Sequence, residues 1–260
     1  MSAVLARLGL TESRRRPAVC PACGRMPVFG DERLSAPAVF TLAGVVVISV
    51  LAWAFVVGQS SMGTAMGMMT WQVFAGVWVL MMAAMMLPSA VPVVVTFARD
   101  SSRRQGWPAA TAILAVSYLC VWLAFGITCY VLYTAARMPW PQQTLIGGAL
   151  LVAAGLYSLA PLKRSSQARC RELCALHGPL PFNLYRSGAL VGLRYGLSCI
   201  GCSGALMIAM VVIGMASLGW ALVLAAIVLI YKFAPALPMR QEIFVSLAII
   251  ALGIAYGGLR

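Results

Sequence analysis

Residues 78–95 read Trp78-Val-Leu-Met-Met-Ala-Ala-Met-Met-Leu-Pro-Ser-Ala-Val-Pro-Val-Val-Val95. The run is uncharged and apolar enough to lie inside a membrane, where a helix needs roughly 20 such residues. On a helix Met81 stacks over Met85 and Met82 over Met86. Pro88 and Pro92 each remove a backbone donor, so they predict a bend or break just beyond the sulfurs. Soft thioethers beside an irregular helix suit Cu(I). Four flexible methionines also suit the packing of a bundle core, and this stretch alone leaves both readings open.

Working outward, the whole chain has the same character. It is 62% hydrophobic and only 10% charged over 260 residues. Apolar runs recur at 37–57, 71–97, 108–135, 142–160, 187–215, 218–235 and 243–258. The predicted fold is all-α: a polytopic transmembrane helical bundle, with seven spans, or six if the fifth is re-entrant. The glycines Gly188, Gly192, Gly196, Gly201 and Gly204 crowd the first half of that fifth run. They permit either a break near its cysteines or close approach of a neighbouring helix.

The net charge of +13 does not point to nucleic acid, because the basic residues sit in short segments between the apolar runs. With the N-terminus in the cytoplasm, all but Arg137 and Arg260 of the 19 basic residues fall on the inner side. The expected location is a bacterial inner membrane, crossed many times. Residues 1–36 form a basic cytoplasmic arm without the apolar core of a secretory signal. Residues 37–260 form the membrane domain, with a cytoplasmic basic loop at 161–186.

The six carboxylates, Glu12, Asp31, Glu32, Asp100, Glu172 and Glu242, all avoid the middle of a predicted span. That argues against a proton-coupled carrier, which needs an intramembrane ionisable group, and against hydrolysis by paired carboxylates. No phosphate-binding glycine-lysine loop for ATP is present.

Two sets of metal-ligating residues stand out. The intramembrane set is Met82, Met85, Met86, Cys199, Cys202 and Met207, whose sulfurs favour Cu(I) over any hard cation. Cys199 and Cys202 have ligand spacing, although small residues at that interval also serve helix packing. The inner set is Cys20, Cys23, Cys170 and Cys174, with His177 as an alternative ligand. It would suit a zinc clip between the arm and the basic loop. Met62, Met66, Met68 and Met69 lie just outside the first span, where they could collect an ion or simply rest on the bilayer.

Three segments carry a family resemblance: Met82-Ala-Ala-Met-Met-Leu-Pro88 with Pro92, Gly155-Leu-Tyr-Ser-Leu-Ala-Pro-Leu-Lys163, and Gly196-Leu-Ser-Cys-Ile-Gly-Cys-Ser203 with Leu206-Met207 and Gly214-Met215. Across roughly residues 75–235 the chain resembles the predicted metal-binding integral membrane proteins grouped as domain of unknown function 2182. The resemblance implies metal binding, plausibly of copper, and supplies no established activity. The chain departs from that pattern in several places. Ser203 stands where a second cysteine adjoins Cys202, and Tyr231 stands where an acidic residue precedes Lys232. Arg194 and Tyr195 occupy the place of a histidine ahead of Cys199, and the pair Cys170 and Cys174 sits further along than in the family.

The leading expectation is a protein that binds, delivers or transports Cu(I), with lipid, the metal ion and a cuproprotein or another membrane protein as partners. The alternative is a non-catalytic assembly or structural subunit without metal. Thiol-based enzyme chemistry ranks last, since no carboxylate or histidine lies near Cys199 in sequence to act as a base.

Overall fold

The computed structural model describes residues 36–60, 70–136, 143–174, 183–213, 218–233 and 239–258. Among these residues the regular structure is entirely helical. The elements are α1 (Ala36–Ser60), α2 (Trp71–Met86), a 3-10 turn (Pro88–Ala90), α3 (Val91–Ser101), α4 (Trp107–Ala135), α5 (Gln143–Ser158), α6 (Pro161–Cys174), α7 (Leu184–Ile213), α8 (Leu218–Phe233) and α9 (Met239–Gly258).

Three helices are long and apolar enough to cross a membrane unbroken: Ala36–Gly58, Trp107–Ala135 and Leu184–Val212. Two bent pairs raise the number to five. Trp71–Met86 with Pro88–Ser101 bends by 48°, and Thr144–Ser158 with Pro161–Cys170 bends by 71°. The apolar stretch Ile243–Gly258 is shorter. Seven apolar runs in sequence thus become three straight candidates, two bent ones, and the shorter α8 and α9.

The first bend falls where the prolines place it. Pro88 and Pro92 cannot donate to carbonyls one turn earlier, so the backbone tightens to i+3 bonds, with Ala90 N–H donating to Leu87 O at 3.0 Å. Ser89 Oγ donates to the Met86 carbonyl at 2.6 Å, satisfying a group the break leaves exposed. The second bend lies at Leu159-Ala160, just before Pro161, and the basic segment expected as a loop is a helix from Pro161 through Cys174. Gly106 makes the tight turn into α4 at φ 81°, a left-handed conformation that suits glycine, and a Cβ there would strike the Tyr185 hydroxyl.

The glycines of α7 do not break it. They form a seam against α4. A Cβ on Gly188 would meet the Ala110 carbonyl, one on Gly192 the Leu114 carbonyl, and one on Gly196 the Val121 side chain at 2.9 Å. These contacts climb both helices in the same direction, so α4 and α7 are parallel. Gly148 against Gly253 and Gly257, with Gly155 against Ile250, makes α5 and α9 antiparallel neighbours. Without a Cβ, the backbones of each pair approach closely and gain dispersion contacts along the seam. Helices α2 and α4 are antiparallel. Phe74 packs on Tyr130 with centroids 4.6 Å apart, and the Trp78 indole lies against Gly126 and donates to the Trp122 carbonyl at 2.8 Å.

The outside of the bundle is apolar as well. Phe40, Val47, Leu51, Leu132, Leu197, Phe244 and Ile254 are exposed. Exposed apolar side chains on several helices are compatible with a lipid surround.

Candidate metal centre

The broken end of α2 and the middle of α7 are both buried in the core, bridged by the Tyr118 hydroxyl of α4. Met81, Met82, Met85 and Met86 are each no more than 1% exposed. On α7, Cys199 and Met207 are fully buried, and Cys202 is 8% exposed. All belong to one contiguous apolar core. Cys199 stands at the midpoint of α7, roughly 22 Å from either end at helical rise.

Hydroxyl groups connect the two helices. The Tyr118 hydroxyl on α4 lies 3.3 Å from Cys199 Sγ and 3.4 Å from the Met86 carbonyl. Tyr195, one turn before Cys199, donates to the Ser89 carbonyl at 3.0 Å. The two tyrosine rings pack together with centroids 5.5 Å apart. Each therefore reaches a carbonyl beside the proline break, where the regular helical donors are missing.

The two thiols are disposed differently. Cys202 Sγ turns back on its own helix, 3.2 Å from the Cys199 carbonyl, which also accepts from Ser203 Oγ at 2.8 Å. The Ser203 hydroxyl stands between the sulfurs, 3.7 Å from Cys199 Sγ and 4.0 Å from Cys202 Sγ. Cys199 Sγ is directed across the interface toward α4. To join it on an ion, Cys202 would give up its contact with the Cys199 carbonyl.

The donor set limits which ion can fit. Among the described residues, no three His, Cys, Asp or Glu side chains group to hold a metal. A zinc site of the usual four nitrogen or sulfur ligands has no basis in this part of the chain. Two thiols and the thioethers buried in the same core are soft donors, which Cu(I) accepts. Charge points the same way. One cysteine thiolate with neutral thioethers around a monovalent cation leaves no net charge in an apolar core, where an unbalanced charge is costly.

The sequence-derived sites fare unevenly. Met82, Met85, Met86, Cys199, Cys202 and Met207 all lie in the buried core. Of the inner set, Cys170 is buried on α6 and the backbone of Cys174 follows one turn later. Cys20, Cys23, His177 and the Cys174 side chain lie outside the described residues, as do Met62, Met66, Met68 and Met69. Tyr118, Tyr195, Ser89 and Ser203 were not among the sequence candidates. Ser203 had a signal, being one helical turn from Cys199. Tyr195 stood in the region where the family resemblance expects a histidine, and Tyr118 had only the signal of a hydroxyl in an apolar run.

Lys163 has a structural place. It is 2% exposed, and its ammonium donates to Ser158 Oγ at 2.8 Å across the 71° bend. Ser158 in turn donates to the Ala154 carbonyl at 3.0 Å. A cation at the C-terminal end of α5 also complements that helix's dipole. Tyr157 donates to the Gly201 carbonyl at 2.7 Å and fastens α5 to α7.

Fold and site together define an all-α protein of long apolar helices around a buried, uncharged centre of methionines and cysteines. No curated protein and no solved structure matches the chain. A family profile matches residues 75–256, most of the chain: the chain belongs to the PpoB2 family, described as copper chaperone. The match spans both halves of the candidate centre.

Proposed function

We propose that this chain is a multi-span membrane protein that accepts Cu(I) at a sulfur site within the bilayer and hands it to a partner, such as a cuproenzyme being assembled. The observation carrying this reading is the Tyr118 hydroxyl, which reaches both the Cys199 thiol and the Met86 carbonyl at the broken end of α2, in a core that buries no carboxylate or imidazole among the described residues. Membership of the copper chaperone family supports the cargo.

In this reading the ion is cargo, held by Cys199 with thioethers of Met82, Met85, Met86 or Met207, and with Cys202 available as a second thiol for transfer. The break at Pro88 supplies the flexibility for the methionine end of α2 to close on the ion or open from it. A site built from one thiolate and weaker thioethers suits a carrier, since the cargo must also leave.

The membrane placement rests on helix length, the apolar outer surface and the charge distribution. Seven spans with the N-terminus inside would make α4 and α7 parallel and α5 and α9 antiparallel, the directions in which their glycine seams run. The same order puts 17 of the 19 basic residues on the inner side, leaving Arg137 and Arg260 outside.

The test is elemental analysis of detergent-purified protein expressed with copper and zinc supplied. Copper near equimolar with the chain is the expected result. A purified chain that carries no copper, even after anaerobic incubation with Cu(I), would overturn the proposal and favour the metal-free assembly subunit.

A further inference from the structure

Tyr118 holds a position that Cu(I) binding does not by itself require. Its side chain is fully buried, and one hydroxyl reaches both the Cys199 sulfur on α7 and the Met86 carbonyl at the end of α2. A phenol has one proton to give and can also accept. In the metal-free protein these capacities can be used in series, with the Cys199 thiol donating to the Tyr118 oxygen and Tyr118 donating to the Met86 carbonyl.

Coordination changes what the sulfur needs. As Cu(I) arrives, the S–H proton leaves to the buffer and a copper–sulfur bond forms, with no change of oxidation state. The sulfur can then only accept, and hydrogen bonds to charged acceptors are the stronger ones. The Tyr118 proton can turn from the Met86 carbonyl to the sulfur at little cost, because that carbonyl keeps its 2.6 Å bond from Ser89 Oγ. Tyr195 holds the Tyr118 ring in place, itself fixed by its bond to the Ser89 carbonyl.

We infer that Tyr118 is a positioning residue for the cargo: it aims the Cys199 sulfur at the methionine end of α2 and, by donating to the coordinated sulfur, sets how tightly Cu(I) is held. The inference rests on the copper-site reading above and names a residue outside the set of ligands. It also couples loading to the broken helix, since the bond Tyr118 gives up on loading is one to α2.

The experiment uses the full-length protein in detergent, loaded anaerobically with Cu(I) and challenged with a colorimetric Cu(I) chelator. Four proteins are compared: wild type, Tyr118→Phe, Tyr185→Phe and the Cys199→Ser/Cys202→Ser double variant. Tyr118→Phe keeps the ring and loses only the hydroxyl, so it should still load stoichiometrically but yield copper to the chelator about tenfold more readily, the scale of one charge-assisted bond. Tyr185→Phe removes a hydroxyl at the start of α7, beside Gly106 and fourteen residues from Cys199, and should match wild type. Wild-type retention in Tyr118→Phe would overturn the inference, and so would equal weakening of both tyrosine variants, which would indicate general loosening. The double variant separates the two claims. If it retains copper as wild type does, the site itself is wrong. If it alone loses copper, the site stands and the role of Tyr118 falls.

Discussion

Replacing Cys199 and Cys202 together by serine is expected to reduce the copper bound to the purified protein by at least about tenfold, while leaving the fold intact. The expectation follows from ligand chemistry. A serine hydroxyl stays protonated and is a hard donor, so the replacement removes the one thiolate ligand and the second thiol that could stand in for it. Thioethers alone are neutral and would leave a buried monovalent cation uncompensated. The fold should survive because serine is close in size and can take over the present contacts. At position 199 it can pair with Tyr118 and Ser203, and at position 202 it can donate to the carbonyl of residue 199. The single variants should be unequal. Cys199→Ser should account for most of the loss, because that thiol faces α4, whereas Cys202 is turned onto its own helix. The measurement is metal content per chain after size-exclusion chromatography. Unchanged copper in the double variant would remove the cysteines from the site.

A second large effect should come from a residue that touches no ligand. Gly192→Leu is expected to destabilise the bundle by about 3 kcal/mol or more and to release copper with it. A Cβ on Gly192 would overlap the Leu114 carbonyl oxygen and press on Ser117 Cβ at 3.0 Å. Backbone on the far side cannot swing away as a flexible side chain would, so α4 and α7 must separate. Separation pulls Tyr118 off Cys199, because the two residues sit on opposite sides of that seam. Gly44→Leu is the control, since nothing lies within 4 Å of a Cβ added on α1 there. Thermal unfolding in detergent, read beside copper content, distinguishes them. Equal stability of the two variants would contradict the seam.

How much of this was legible in the sequence differs from element to element. The proline break in α2 was, because a missing backbone donor is a local property that no neighbour can restore. The glycines of α7 were ambiguous. They fit a break or a close contact, and the choice belongs to α4, whose register against α7 is fixed only in the assembled bundle. The bend at Pro161 and the burial of Lys163 were also tertiary outcomes. A lysine after Pro-Leu reads as one more inner-side charge, yet its ammonium folds back onto Ser158. The methionines and cysteines were found as candidates because soft donors are few and distinctive. Tyr118 was not, since a lone tyrosine in an apolar run looks like packing until its hydroxyl is placed between a sulfur and the Met86 carbonyl.

The most direct test of the central claim is X-ray absorption at the copper edge on the loaded wild-type protein. The account predicts Cu(I) with a shell of sulfur neighbours and no nitrogen or oxygen, because a soft ion prefers the thiol and thioethers of the core to the hydroxyl and carbonyl oxygens beside them. A copper(II) edge, or a shell containing nitrogen or oxygen, would contradict it and place the ion outside the buried Met/Cys centre.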